Sequence, residues 1–119
     1  MDFEDNVITL NMPVKKEYSQ ILRLTTAGAF NQAGFDINTV GDAKVVVSEV
    51  FNCLLNTDIV QFDIAFSIAI GKVIMEFKTY DDDDVLRGAN EFTRPLLEAL
   101  VTKVEFNNKG KLILVVEAV

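Results

Sequence analysis

The sequence predicts an α+β two-layer sandwich, with a mixed, mostly antiparallel sheet covered on one face by three helices. Three observations predict it: a long segment of alternating hydrophobicity, two long segments with helical spacing, and hairpin turn residues near the C-terminus. The expected element order is β-α-α-β-β-α-β-β. With 119 residues, half of them hydrophobic, the chain suits one domain, so residues 1–119 are expected to form a single domain.

The clearest strand pattern runs from Val60 to Ile70, where apolar residues alternate with polar or small ones. A period of two over eleven residues indicates a long strand with one buried face. Gly71 and Lys72 then predict a tight hairpin turn, and Val73–Phe77 continues the buried face in the next strand. The positions expected inside are Val60, Phe62, Ile64, Phe66, Ile68, Ile70, Val73, Met75 and Phe77.

The first strand is expected at Ile8–Met12, ended by Pro13, and the first helix at about Lys16–Ala33. Gly34 is a natural residue to end that helix, because glycine adopts the left-handed conformation at low cost. The apolar face of the first helix is expected to comprise Tyr18, Ile21, Leu22, Ala29 and Ala33.

The second helix is expected at about Asn38–Asn56, with Asn38 or Thr39 as the N-cap. Its residues spaced by three and four form an apolar stripe that should pack on the sheet. The stripe comprises Val40, Ala43, Val47, Val50, Phe51 and Leu54, and the opposite side comprises Asp42, Glu49, Asn52, Cys53 and Asn56. That opposite side is either solvated or the wall of a groove.

The remaining chain predicts an acidic loop, a third helix and a closing hairpin. Four aspartates, Asp81–Asp84, favour an exposed loop. The third helix is expected at about Ala89–Thr102, or from Thr93 or Arg94 with Pro95 in its first turn. Its expected apolar face is Phe92, Leu96, Ala99 and Leu100, and the hairpin is expected to comprise Val104 and Phe106, a turn at 107–110, and Leu112, Leu114, Val116 and Ala118.

Composition excludes several classes of function. Eleven basic and 18 acidic residues give a net charge of −7 with no basic stripe, so a protein partner is expected and nucleic acid is not. The sequence has no histidine, which excludes Ser–His and Cys–His catalysis. The one cysteine, Cys53, permits no internal disulfide, and the acidic N-terminus resembles no signal peptide. A cytoplasmic location without a membrane span or bound metal is expected.

Five segments, in order along the chain, resemble one known family. They are Pro13–Tyr18, Arg23–Thr25, Ala33–Phe35, Val45–Val50 and Leu96–Val104. Together they resemble the anti-sigma-factor serine kinases, bacterial regulators of transcription with the histidine-kinase-like ATPase (GHKL) fold. The resemblance covers nearly the whole chain and implies that fold here.

The resemblance also implies roles for individual positions. Glu49 matches the glutamate that acts as general base or orients one, and Cys53 falls where the family has an asparagine that coordinates Mg²⁺. A thiol is a poor ligand for this cation, and neighbouring Asn52 is rotated about 100° around the helix. Thr79 falls at the aspartate that reads adenine, and Asp81 at the first glycine after it. These five positions are therefore expected to form a degenerate nucleotide pocket in which Glu49 is vestigial.

The phosphate-holding part of the family is also reduced. Only about ten residues join Asp81 to Glu91, too few for the family's mobile lid, and the glycine positions fall near Glu91 and Thr93. The four aspartates would in addition repel a triphosphate. No cofactor is therefore expected, with ATP and Mg²⁺ as the alternative.

Three functions stay open. The first is a regulatory protein-binding domain resembling an anti-sigma factor, without ATP binding or kinase activity; its partner would be a sigma factor or an anti-anti-sigma (antagonist) domain. The resemblance places Arg23 at a position used in sigma contact, and implies a homodimer paired through the N-terminal region. The second is an active ATP-dependent serine/threonine protein kinase. The third is a structural or sensory module with an emptied or repurposed pocket, in which Cys53 makes the pocket redox-responsive.

Overall fold

The computed structural model describes residues 6–107 and 109–119, so Asn108, in the expected closing turn, lies outside the described residues. One face of a five-stranded sheet is covered by helices, and the strand order is β1-β2-β3-β5-β4 with every neighbouring pair antiparallel. The strands are β1 Val7–Pro13, β2 Gln61–Ala69, β3 Lys72–Thr79, β4 Lys103–Asn107 and β5 Lys111–Glu117; the helices are α1 Ser19–Gln32, preceded by a 3₁₀ turn at Lys16–Tyr18, α2 Ile37–Leu55 and α3 Thr93–Leu100.

The predicted two-layer α+β sandwich is confirmed. The inward residues of β2, including Phe62, Ile64 and Phe66, are buried, and the outward residues between them are half-buried. The predicted apolar stripe of α2 is buried in the same core along its whole length. The apolar residues that recur every two positions in the strand and about every 3.6 positions in the helix thus pack in one hydrophobic core.

The connection between α1 and α2 follows the expected chemistry, with one correction. Gly34 has a φ of +86°, the left-handed conformation that favours glycine after a helix. The N-cap of α2 is Asp36, whose carboxylate accepts a hydrogen bond of 2.9 Å from the backbone N–H of Thr39. The predictions of Asn38 or Thr39 were wrong because Asp36 starts the helix at Ile37.

The ends of the longest strand were also predicted too far out. Val60 and Ile70 are 78% and 84% exposed, because they lie outside β2. Ala69 pairs with Lys72, so the two-residue turn is Ile70–Gly71, one residue earlier than predicted. On α1, the predicted core residue Ile21 is half exposed.

The third helix is shorter than predicted and buries a different face. It begins at Thr93, one of the two alternative starts expected after Ala89, and buries Thr93 and Leu97. Phe92 is 71% exposed, so its assignment to the apolar face was wrong. The reason is local: the side chain of Asn90 accepts from the N–H of Phe92 at 2.8 Å and holds 90–93 in a turn that sets the helix phase.

Within residues 6–107 and 109–119, no helix is long and apolar enough to cross a membrane.

Candidate functional site

Three polar side chains meet between α2 and the start of α3. The hydroxyl of Thr93 donates to Glu49 Oε2 at 2.8 Å and lies 3.7 Å from the Cys53 sulfur. Cys53 Sγ is 4.0 Å from the same carboxylate oxygen. Glu49 and Cys53 are one helical turn apart on α2, and 44 residues separate Glu49 from Thr93. Glu49 is thus hydrogen-bonded to a hydroxyl of its own chain.

Cys53 is buried rather than exposed on the outer side of α2. Only 2% of the residue is accessible, because α3 covers it. Burial raises the pKa of the thiol, the nearby carboxylate of Glu49 raises it further, and the hydrogen bond with Thr93 lowers it in part. Less thiolate at neutral pH means less reactivity, since the thiolate is the nucleophile.

The residues between β3 and α3, here named the cover segment (80–92), fold back onto the helix layer. Val85 and Leu86 are 2% and 6% exposed and belong to the single hydrophobic core cluster. Asp84 accepts from the N–H of Leu86 at 2.9 Å and turns the chain inward after the acidic run. The cover segment is therefore packed structure with an acidic outer edge.

Gly88 brings the cover segment into direct backbone contact with the end of α2. A Cβ added at Gly88 would lie well inside van der Waals contact of the carbonyl oxygen of Cys53, and 3.0 Å from carbon atoms of both Asn56 and Thr57. Only glycine permits this approach without displacement. The cover segment consequently closes the groove beside Cys53.

The other end of the cover segment is fixed at the end of β3. Thr79 is buried, its backbone N–H donates to the Gly110 carbonyl at 2.9 Å, and its hydroxyl donates to the Asp83 carbonyl. Asp81 and Asp82 have φ values of +61° and +56°, the region that favours glycine. The position that the resemblance aligns with a glycine thus has a glycine-like backbone while carrying a carboxylate.

The acidic run confirms the exposed-loop prediction for most of its length. Asp81, Asp82 and Asp84 are exposed, whereas Asp83 is half-buried. Arg87 pairs with Asp83 at 3.1 Å and also with Asp58 at the end of α2. One guanidinium therefore ties the acidic run to the helix layer, although exposed pairs of this kind contribute little stability each.

The structure brings together only part of the predicted site. Glu49 and Cys53 are adjacent, but Asn52 is exposed on another side of α2. Thr79 and Asp81 lie at the end of β3, and their polar contacts are with the Asp83 and Gly110 region. Arg23 is exposed on α1.

A separate cavity lies elsewhere in the molecule. It has a volume of about 500 Å³, and its walls come from the α1–α2 turn, the end of α3 and the end of β5. Asp36, Asp42 and Glu117 contribute carboxylates to it. None of the predicted nucleotide positions lines it.

Sequence reasoning missed the residues that close the groove. Gly88, Val85 and Leu86 follow the aspartates without any periodicity. One signal was present in the sequence. Asn90 and Thr93 have the i, i+3 spacing of a helix-capping pair, and the Asn90 N–H donates to the Thr93 hydroxyl at 3.2 Å. That pairing could have placed the start of α3 at Thr93.

Comparison with known proteins identifies relatives of this chain. Proteins described as serine-protein kinase RsbW from Bacillus cereus (strain AH187), Bacillus thuringiensis subsp. konkukian (strain 97-27) and Bacillus mycoides (strain KBAB4) are each 37% identical to it over 75 residues. The match covers 63% of this chain and 42% of each relative, so the chain spans less than half of their length. No family model matches the chain. The resemblance to a family of serine kinases is confirmed by this homology.

Proposed function

We propose that this homologue of the serine-protein kinases RsbW is a regulatory protein-binding domain of the anti-sigma-factor type that neither binds ATP nor transfers phosphate. The observation that carries the proposal is the contact of Gly88 with the end of α2, where a Cβ would meet the carbonyl oxygen of Cys53 and carbon atoms of Asn56 and Thr57. The proposal includes the cytoplasmic location and the single domain expected from the sequence.

The arrangement around Glu49 supports the loss of catalysis. A general base must reach the hydroxyl whose proton it takes, and here the Thr93 hydroxyl already donates to Glu49 at 2.8 Å. Cys53, at the position of a magnesium ligand, turns its sulfur inward to Thr93. A buried thiol beside a carboxylate does not fit a cation that prefers oxygen ligands, so these residues do not fit a magnesium nucleotide.

The cover segment supports the same conclusion for the phosphates. Triphosphate sites use glycine-rich backbone whose N–H groups face the ligand at a helix N-terminus. Here the chain just before α3 carries Asn90 and Glu91, and the N–H groups of Asn90 and Phe92 are already bonded within the turn. The aspartates of the acidic run would repel an anion approaching from outside.

The outer face of α1 supports a protein partner. Arg23 is exposed between Ile21 and Leu24, which are 50% and 61% exposed. An arginine flanked by accessible apolar side chains has the composition of an interface centre. Because the resemblance places Arg23 at a sigma-contact position, we infer a sigma factor or an anti-anti-sigma domain as the partner.

A second candidate function is an active ATP-dependent serine kinase. It is favoured by the relatives, which are serine-protein kinases, and by the retained Glu49. It would require the cover segment to leave the end of α2 and release Glu49 from Thr93. The third function, a redox-sensing pocket at Cys53, is disfavoured by the burial of that thiol and its raised pKa.

The proposal is tested by partner binding with and without nucleotide. Purified sigma factors and antagonist domains are titrated onto the chain in Mg²⁺ with ATP, and again with EDTA and no nucleotide. We expect one of them to bind with the same affinity in both conditions, since no nucleotide site participates. Arg23→Glu should weaken that binding at least about tenfold, whereas Asn52→Asp on exposed α2 should leave it unchanged.

Binding that requires ATP, or phosphate transfer to the antagonist domain, would support the kinase instead. Binding that is insensitive to Arg23→Glu would show that the partner does not bind at the outer face of α1.

A further inference from the structure

The two edges of the sheet differ in how far they are protected against pairing with another chain. At one edge, β4 has five residues and carries Lys103 and Glu105. At the other edge, β1 has seven residues, Val7–Pro13, and none of them is charged. Along the part of the chain that the structure describes, β1 pairs only with β2. A long, uncharged edge strand is the kind that accepts a further strand, whereas a short, charged one resists it.

The backbone of β1 directs every second peptide unit away from β2. At one end of the strand the Ile68 N–H donates to the Asn6 carbonyl at 3.0 Å. At the other end the Val14 N–H donates to the Val60 carbonyl at 2.9 Å. In an antiparallel pair, alternate residues bond to the partner strand, and the residues between them face the other way. The residues of β1 that direct both an N–H and a carbonyl group to the free edge are therefore Val7, Thr9 and Asn11.

A cavity beside β1 offers space for one apolar side chain. Ile8 lies on the helix side of β1 and is 50% exposed, although its pairing partner on β2, Phe66, is fully buried. The helix layer thus ends before it covers β1. The cavity there has a volume of about 230 Å³, and it is lined by Asn6, Val7, Ile8, Gln32 and Ile68. Small-molecule sites have volumes of about 300–1,000 Å³, so this cavity suits a single side chain better than a whole ligand.

The chemistry of the occupant follows from the backbone and from the charge. A row of outward N–H and carbonyl groups at every second residue is matched by the backbone of an extended peptide, which adds to the sheet as a strand. The net charge of −7 favours a positively charged partner and opposes the approach of a second copy of this chain. Antiparallel addition is expected, because every neighbouring pair in the sheet is antiparallel.

We propose that the free edge of β1 binds an extended, positively charged segment of another protein as an additional antiparallel strand, with one apolar side chain of that segment in the cavity beside Ile8. This inference does not depend on the proposed function. The surface is also separate from Arg23, because Gln32 follows Arg23 by nine residues on α1. At about 100° per residue, these two side chains lie on opposite sides of the helix.

The test is fluorescence anisotropy with a labelled, blocked peptide in which threonines alternate with valines and a central leucine, between two terminal lysines. We expect a Kd on the order of 100 µM for the wild type. Thr9→Pro removes an N–H that faces the free edge and should raise the Kd at least about tenfold. Proline is tolerated on an edge strand where the N–H faces solvent, so the variant should stay folded, as circular dichroism would verify. Thr9→Val keeps the N–H and should bind like the wild type.

Two N-methylated peptides test the same edge on the wild-type protein. In an antiparallel pair, residues that bond directly across have their side chains on the same face of the sheet. Thr9 has its side chain on the face opposite the helices, so the peptide's threonines should bond to β1 while its leucine points to the cavity. Methylating the threonine nitrogens should therefore abolish binding, whereas methylating the valine and leucine nitrogens should preserve it.

Three results would overturn the proposal. One is a peptide that fails to bind at about 1 mM. Another is binding that survives methylation of the threonine nitrogens. The third is a wild type that self-associates and that Thr9→Pro converts to monomers, since this would assign the edge to a second copy.

Discussion

The sheet with its two long helices and the cover segment are held in place by different kinds of contact. In the first region the core follows periodic patterns, so that Phe66 on β2 and Val47 on α2 are both fully buried. In the second, Gly88 contacts Cys53, and Thr93, the residue that follows the segment, contacts Glu49; these pairs are about 35 and 44 residues apart in sequence and follow no period.

The architecture and the proposed function therefore depend on different regions of the molecule. The sandwich architecture depends on the periodic region, whereas the proposed loss of nucleotide binding depends on the cover segment. The architecture and the site of a domain can therefore change independently of each other. Each prediction below perturbs one of the two regions.

The largest effect is expected in the periodic region. Phe66→Ala removes a fully buried ring from the middle of β2 and should lower the free energy of unfolding by about 3–5 kcal/mol. Ser67→Ala, the next residue on the opposite face, should change it by less than about 1 kcal/mol. Urea unfolding followed by circular dichroism measures both, and equal losses would show that the register of β2 is wrong.

A smaller effect is expected in the cover segment. Gly88→Ala forces a methyl group against the Cys53 carbonyl and should cost about 1–3 kcal/mol. Gly28→Ala is the matched control, because a Cβ there meets nothing within 4 Å on helix α1. It should stabilise the chain by about 0.5–1 kcal/mol, through helix propensity alone.

Alkylation of Cys53 distinguishes a local displacement of the cover segment from global unfolding of the protein. In the wild type the buried thiol, with its raised pKa, should react slowly at neutral pH. Gly88→Ala should accelerate the reaction under conditions in which the protein is still folded, and Gly28→Ala should not. Unchanged stability and unchanged alkylation in Gly88→Ala would mean that the cover segment does not pack on α2.

Most of the strands and helices could be predicted from the sequence, because the patterns that indicate them are local. Alternation identified the inward residues of β2 and β3, and helical spacing identified the α2 stripe. Errors occurred where a single polar side chain sets the phase: Asp36 caps α2 two residues before the first of the expected caps, and Asn90 sets the turn that delays α3 to Thr93. The error at α2 shifted only the start of the helix. The error at α3 also changed its predicted buried face, from one that included Phe92 to one that includes Leu97.

The candidate site was less predictable, for a physical reason. The short connection between Asp81 and Glu91 predicted that the family's lid is missing, but it could not predict that Val85 and Leu86 turn inward or that Gly88 lies on the Cys53 carbonyl. Those contacts depend on the distance between β3 and α2 in the folded chain. Cys53 was predicted on the outer side of α2 for the same reason, since Thr93 of α3 and Gly88 of the cover segment both lie against it in the folded chain.

The most direct test of the central claim is thermal unfolding with millimolar ATP and Mg²⁺, for the wild type and for Cys53→Asn. A ligand at a hundred times its Kd adds about 2.7 kcal/mol, on the order of 10 °C in Tm for a domain of this size. We predict no shift for the wild type, and none for Cys53→Asn, because one restored oxygen ligand leaves the cover segment in the groove. A shift of several degrees that EDTA abolishes, in either protein, would contradict the account and identify a working nucleotide site.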